Sequence, residues 1–84
     1  MQEPLTFTKE EINLLHQSIG KNVKRYREEK GLSQLQLSHA IGLSSVSLIS
    51  AAEIFTKSIH FNVEHLYKIA KVLEIELSLL IDLN

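Results

Sequence analysis

Residues 27–42 read R-E-E-K-G-L-S-Q-L-Q-L-S-H-A-I-G. Two glycines bracket a short amphipathic segment headed by a serine, and that combination decides the fold. Gly31 follows the basic Lys30 and suits a helix C-terminus. Ser33 suits an N-cap, because its hydroxyl can accept a free amide hydrogen of the following first turn. Gln34 to Ile41 then carries Leu37 and Ile41 on one side, and Gly42 offers the positive φ of a tight turn. The expected unit is a short helix, a glycine turn and a second short helix starting among the serines that follow.

Upstream, Thr8 with Glu11 three residues later is a capping-box pattern, so a helix is expected from Lys9. Ile12, Leu15, Ile19, Val23 and Tyr26 recur every three or four residues and define one face. Gly20 lies inside this pattern, where it costs about 1 kcal/mol against alanine. The stretch reads equally as one long helix or as two. Downstream, Ser44 or Ser45 caps a third helix carrying Val46, Leu48, Ile49 and Ala52. Phe55 to Phe61 reads as a loop. Asn62 caps a helix over Val63 to Leu73, with Leu66, Ile69, Ala70 and Leu73 inward, and a last helix covers about Leu77 to Leu83. No strand-like alternation persists. The fold class is all-α, a compact bundle of about five helices.

The 84 residues make one domain, with residues 1–18 as an N-terminal extension that begins the first helix and 19–84 as the body. A chain this short buries only about 60% of its unfolded surface, so dimerisation would help it. There is no cysteine, hence no disulfide framework or thiolate metal site, which fits a cytoplasmic setting. The acidic N-terminus MQEPLTFTKEE does not resemble a signal peptide. Apolar runs fall far short of the ~20 residues that span a bilayer, so no membrane is expected. Net charge is −1, but it is unevenly spread. Lys21, Lys24, Arg25, Arg27 and Lys30 against Glu28 and Glu29 leave residues 21–31 at +3, and residues 32–52 hold no Lys, Arg, Asp or Glu. A positive strip beside an uncharged polar segment suits nucleic acid better than the total charge suggests.

The stretch from Ile19 to Ile81 resembles the Cro/lambda-repressor-like (Xre-type) helix-turn-helix family. The residues that carry the likeness are IGKNVKRYREEKGLSQLQLSHAIGLSS, then Glu53, then FNVEHLYKIAKVLEIELSLLI. The run R-x-x-K-G-L-S-Q-x-x-L is present as Arg27, Lys30, Gly31, Leu32, Ser33, Gln34 and Leu37. The resemblance implies a lambda-repressor-like domain that binds double-stranded DNA. It implies that Gln34 touches backbone or a base edge. Ser44, Ser45, Val46 and Ser47 would open the recognition helix, with Ser50 one turn on. Lys24, Arg25 and Arg27 would meet phosphates.

Two departures stand out. Ser38 occupies a position where the family usually has alanine. The spacing from Gly42 to Glu53 is one residue longer than the family's. Aligned on Gly42, the third helix puts Leu48 and Ala51 in the core; aligned on Glu53, it puts Ile49 and Ala52 there. Both sets are apolar, and one residue is about 100° of helix. The recognition helix also lacks Arg, Lys, Asn and Gln, the residues of bidentate base readout, so low intrinsic base specificity is expected.

The protein expected is a homodimeric transcriptional regulator on a roughly palindromic operator, with recognition helices about 34 Å apart. Its dimer contact would come from Leu77, Leu79, Leu80, Ile81 and Leu83, too many apolar residues for a short exposed helix. The N-terminal extension, through Ile12, Leu15 and Ile19, is a second candidate. The alternative is an interaction module of antitoxin or anti-regulator type that kept the fold with weak or lost DNA binding. His16, His39, His60 and His65 lack the i, i+4 spacing of a helical metal pair, so no metal or cofactor is expected. Phe7, Tyr26, Phe55, Phe61 and Tyr67 are too scattered for a base-stacking platform and read as packing anchors. No catalytic constellation stands out.

Overall fold

The computed structural model describes residues 5–83. The first four residues of the expected N-terminal extension therefore lie outside the described residues. Five helices follow in order: α1 Lys9–Glu29, α2 Gln34–Ala40, α3 Ser47–Glu53, α4 Val63–Leu73 and α5 Leu77–Leu80. A single 3-10 turn at Thr56–Ser58 interrupts the α3–α4 connection, which had read as plain loop. No strand occurs among the described residues.

The caps explain most boundaries. Thr8 and Glu11 form a reciprocal capping box at the start of α1. Ser33 forms one with Gln36 at α2, and Asn62 forms one with His65 at α4. Each box satisfies amide donors that a helix start would leave open. Gly31 and Gly42 take φ of 79° and 90°, the left-handed turn that closes α1 and α2. After α1, the Leu32 amide donates to Arg27 and the Gly31 amide to Glu28. After α2, the Leu43 amide donates to Ser38 and the Gly42 amide to His39. Both ends are Schellman motifs.

Helix α1 is continuous, so the two-helix reading of residues 9–29 is excluded. Gly20 does not kink it. A Cβ there would lie 2.4 Å from the Ala52 carbonyl oxygen and 2.7 Å from that of Glu53. The glycine is where the C-terminal end of α3 presses against α1.

The core gathers Ile19 and Val23 of α1, Leu37 of α2 and Ile49 and Ala52 of α3. Ile41 just after α2, Phe61, then Leu66, Ile69, Ala70 and Leu73 of α4, and Leu80 of α5 complete it. Each large side chain so buried contributes roughly 1.5–3 kcal/mol by area. Leu80 is 0% exposed, which corrects its assignment to a dimer face: it is a core residue. Leu77 is half-buried and packs on the same core. Helix α5 stops at Leu80 rather than Leu83. Beyond it the Asn22 side-chain amide donates to the carbonyls of Leu80, at 3.0 Å, and Asp82, at 2.6 Å, tying the chain end to α1. Ile12 lies beyond the packed part of α1 and is exposed; Phe7 and Tyr67 are exposed as well, whereas Phe61 is buried.

Candidate nucleic-acid interface

Helices α2 and α3 and the turn between them form the candidate site. A buried ion pair fixes their geometry. Glu53 is 2% exposed and Arg27 6%. The Arg27 Nε donates to Glu53 Oε2 at 2.7 Å and its Nη2 donates to Oε1 at 3.0 Å. The Arg27 Nη1 donates to the Leu32 carbonyl at 2.8 Å. The Gln34 Nε2 also donates to Glu53 Oε1, at 2.9 Å. One carboxylate thus joins the last turn of α1, the first residue of α2 and the last residue of α3. Its hydrogen bonds keep the Arg27 pKa above its ordinary value. A planar guanidinium suits this two-pronged pairing, and it leaves no uncompensated buried charge.

Arg27 is therefore not a phosphate ligand, contrary to expectation. Each of its three nitrogens already donates a hydrogen bond, and the side chain is buried. Gln34 stays half-exposed at the head of α2. Because a carboxylate only accepts, the Gln34 amide nitrogen must face Glu53, which leaves the amide carbonyl oxygen free of that contact.

The register of α3 is now fixed. Ile49, Ala52 and Glu53 point inward. Ser47, Ser50, Ala51 and Ile54 lie on the opposite side, at i, i+3, i+4 and i+7. The alignment on Glu53 is the right one. Residues 44–46 form bends, and α3 begins only at Ser47. Val46 sits at the N-cap without a side-chain cap. Ser45 substitutes from one position earlier: its Oγ accepts the Ser47 amide at 3.3 Å. Its hydroxyl donates to the Ser47 Oγ at 3.2 Å. The Ser50 hydroxyl donates back to the Ser47 carbonyl at 3.2 Å, so its oxygen lone pairs are what it can offer outward.

The other expected residues separate. Ser44, Ser45 and Ser47 are exposed, and Val46 and Ser50 are half-buried. Ser38 is fully buried in place of the family's alanine, and its hydroxyl donates to the Gln34 carbonyl at 2.8 Å. Lys24 and Arg25 are both exposed but on different sides of α1. Lys24 joins Gln17, Lys21, Glu53 and Ile54 around a cleft at the C-terminal end of α3. Arg25 pairs with Glu29 at 3.0 Å and lies over the Tyr26 ring at 4.9 Å. Lys21, part of the positive strip, is not among the residues expected to meet phosphates. With Gly20 placed against α3 by the structure, at about 100° per residue Lys24 falls 40° from that side, Lys21 100° and Arg25 140°.

A family model of Cro/C1-type helix-turn-helix domains matches residues 23–80. The match spans more than half of the chain, and the chain belongs to this family of DNA-binding regulator domains. A comparison with curated proteins finds no match. No helix among the described residues is long and apolar enough to cross a membrane.

Proposed function

We propose that the protein is a cytoplasmic transcriptional repressor that binds a roughly palindromic DNA operator as a homodimer. The observation that carries this reading is the outward serine face of α3 beside a lysine-lined cleft, held by the Arg27–Glu53–Gln34 network. In this reading Ser44, Ser45, Ser47 and Ser50 meet base edges, and Val46 packs nearby. Gln34 presents its carbonyl oxygen, and Lys24 with Lys21 meets phosphates. Serine discriminates weakly among bases, so specificity comes from DNA shape and half-site spacing. The dimer contact falls to Leu79, Ile81 and Leu83, exposed on either side of the buried Leu80.

A salt titration of binding to duplex DNA tests the reading. Affinity should fall steeply with salt, with a slope set by the phosphates neutralised. The lack of charge on the outward residues Ser47, Ser50 and Ala51 of α3 and the net charge of −1 favour a second reading, a protein-interaction module with the same fold. Absence of duplex binding even at low salt would overturn the first reading.

A further inference from the structure

Between buried Glu53 and buried Phe61 the chain runs through an unusual connection. Phe55, Lys57 and Ser58 take φ of 57°, 53° and 62°, the left-handed region that L residues avoid. Such backbone persists only where its surroundings hold it. Here the holding contacts are histidines. The His60 ring stacks on His16 of α1, centroids 3.8 Å apart and planes 21° apart. Phe55 stacks on the same His16 ring at 5.8 Å. The His16 Nδ1 is closed off from solvent and has no hydrogen-bond partner. It is tolerable as a bare lone pair, but as a protonated donor it would be buried without an acceptor.

At the far end of the connection a second imidazole nitrogen must stay unprotonated, here because it accepts a hydrogen bond. His65 completes the α4 capping box by accepting the Asn62 amide at its Nδ1, 3.1 Å away. A proton on that nitrogen abolishes the bond. The Phe61 ring meets His65 edge-on at 6.4 Å. The two ends of the connection therefore share one requirement, an unprotonated imidazole nitrogen.

We propose that the α3–α4 connection is a proton-operated latch, closed on α1 at neutral pH and released when mild acid protonates His16 and His65. The surrounding charges agree with this direction. Burial pushes the His16 pKa below its ordinary value, and His60 from the connection adds to the effect. The nearest carboxylate of α3, Glu53, is engaged by Arg27 and Gln34. Lys57, in the connection itself, is exposed. Burial likewise lowers His65; Glu64 opposes it, and Lys68 adds to it.

A group whose pKa is lowered in the closed form stabilises that form above its free pKa and withdraws the stability as pH falls below it. The window therefore opens near pH 6.5 and runs downward. Each histidine kept neutral shifts the open-to-closed ratio by at most about tenfold between pH 7.5 and 5.5. The connection starts one residue after α3, so release also links protons to DNA affinity. That consequence rests on the proposed function, whereas the latch itself does not.

The test is NMR on the full chain. Exchange of the hydrogen-bonded Ser58, Ile59 and His65 amides, corrected for intrinsic rates, is compared at about pH 7.5 and 5.5. Core amides of Val23 and Ile69 serve as reference. The latch requires the connection amides to lose at least about threefold protection while the core holds. In His16→Phe combined with His65→Gln the loss should vanish. Phenylalanine keeps a stacking ring, and glutamine keeps the capping box. Each single variant should remove its own share, so one poorly folding protein does not decide the matter. Flat protection in the wild type, parallel loss in the core, or an undiminished loss in the double variant overturns the latch. DNA affinity unchanged by pH while the amides open overturns only the coupling to DNA.

Discussion

Replacing Gly20 with alanine sets two opposed effects against each other at one atom. Helix propensity favours alanine by about 1 kcal/mol in a helix interior. The new Cβ, however, would stand 2.4 Å from the Ala52 carbonyl oxygen and 2.7 Å from that of Glu53. Ordinary contact needs about 3.5 Å, so α1 and α3 would have to part by roughly 1 Å. The obstacle is backbone, which cannot rotate aside as a flexible side chain can. Parting the helices also stretches the Arg27–Glu53 bonds, now 2.7 and 3.0 Å. Overpacking of this kind costs about 1–3 kcal/mol, and a rigid neighbour puts it at the upper end. The net expectation is destabilisation by about 2 kcal/mol once the propensity gain is subtracted. A domain of this length holds only about 4–13 kcal/mol in all. The midpoint of thermal unfolding, followed by circular dichroism, should fall by roughly 8–16 °C. An unchanged or raised midpoint would refute the reasoning, because it would mean that helix propensity and not the α1–α3 approach governs this position.

The remaining predictions concern charge, core and interface. Glu53→Gln leaves Arg27 buried without its counter-ion and should destabilise by about 3–5 kcal/mol in urea unfolding, whereas Arg27→Met with Glu53→Leu should be less damaging than either single change. Leu80→Glu should unfold the domain, since the side chain is fully buried. Leu83→Glu should leave the circular dichroism spectrum intact and dissociate the proposed dimer in sedimentation, and a dimer that persists would move the proposed interface to the N-terminal part of α1. Lys24→Ala should lower the salt slope of DNA binding by about one, with little change in sequence preference. Arg25→Ala should leave that slope nearly unchanged, because its guanidinium is paired with Glu29 away from the α3 cleft.

Much of the fold was legible because its signals are local. Ser33, Gly42 and Asn62 act within one turn of their own position, so α2, the turn and α4 fall where short-range chemistry put them. Interactions that cross between helices were not legible. Gly20 carries no local sign that a neighbouring backbone needs its missing side chain. Arg27 was the hardest case, since a basic residue in a basic strip next to a DNA-binding motif invites a phosphate role. Its partner lies 26 positions away and on another helix. Leu80 was misread for the opposite reason. Counting apolar residues on a short terminal helix overlooks that a single one can fill the floor of a thin core.

The two misread residues and the unsettled register of α3 have different physical causes, and the register is the more instructive. Apolar pattern alone left α3 with two settings, because Leu48 and Ala51 are as apolar as Ile49 and Ala52. What separates the settings is Glu53. A buried carboxylate must find its cation and donors, and a 100° rotation of the helix would take it away from Arg27 and Gln34. Hydrophobic burial tolerates either choice to within about 1–2 kcal/mol, whereas stranding a buried charge costs several. The polar pair therefore dictates the register, and α3 begins only after the serine turn at residues 44–46. The serines at 44 and 45 thereby move off the helix proper. In the proposed function, base readout would depend as much on the conformation of that turn as on α3, and stiffening the turn should sharpen operator preference more than adding a polar side chain to the helix.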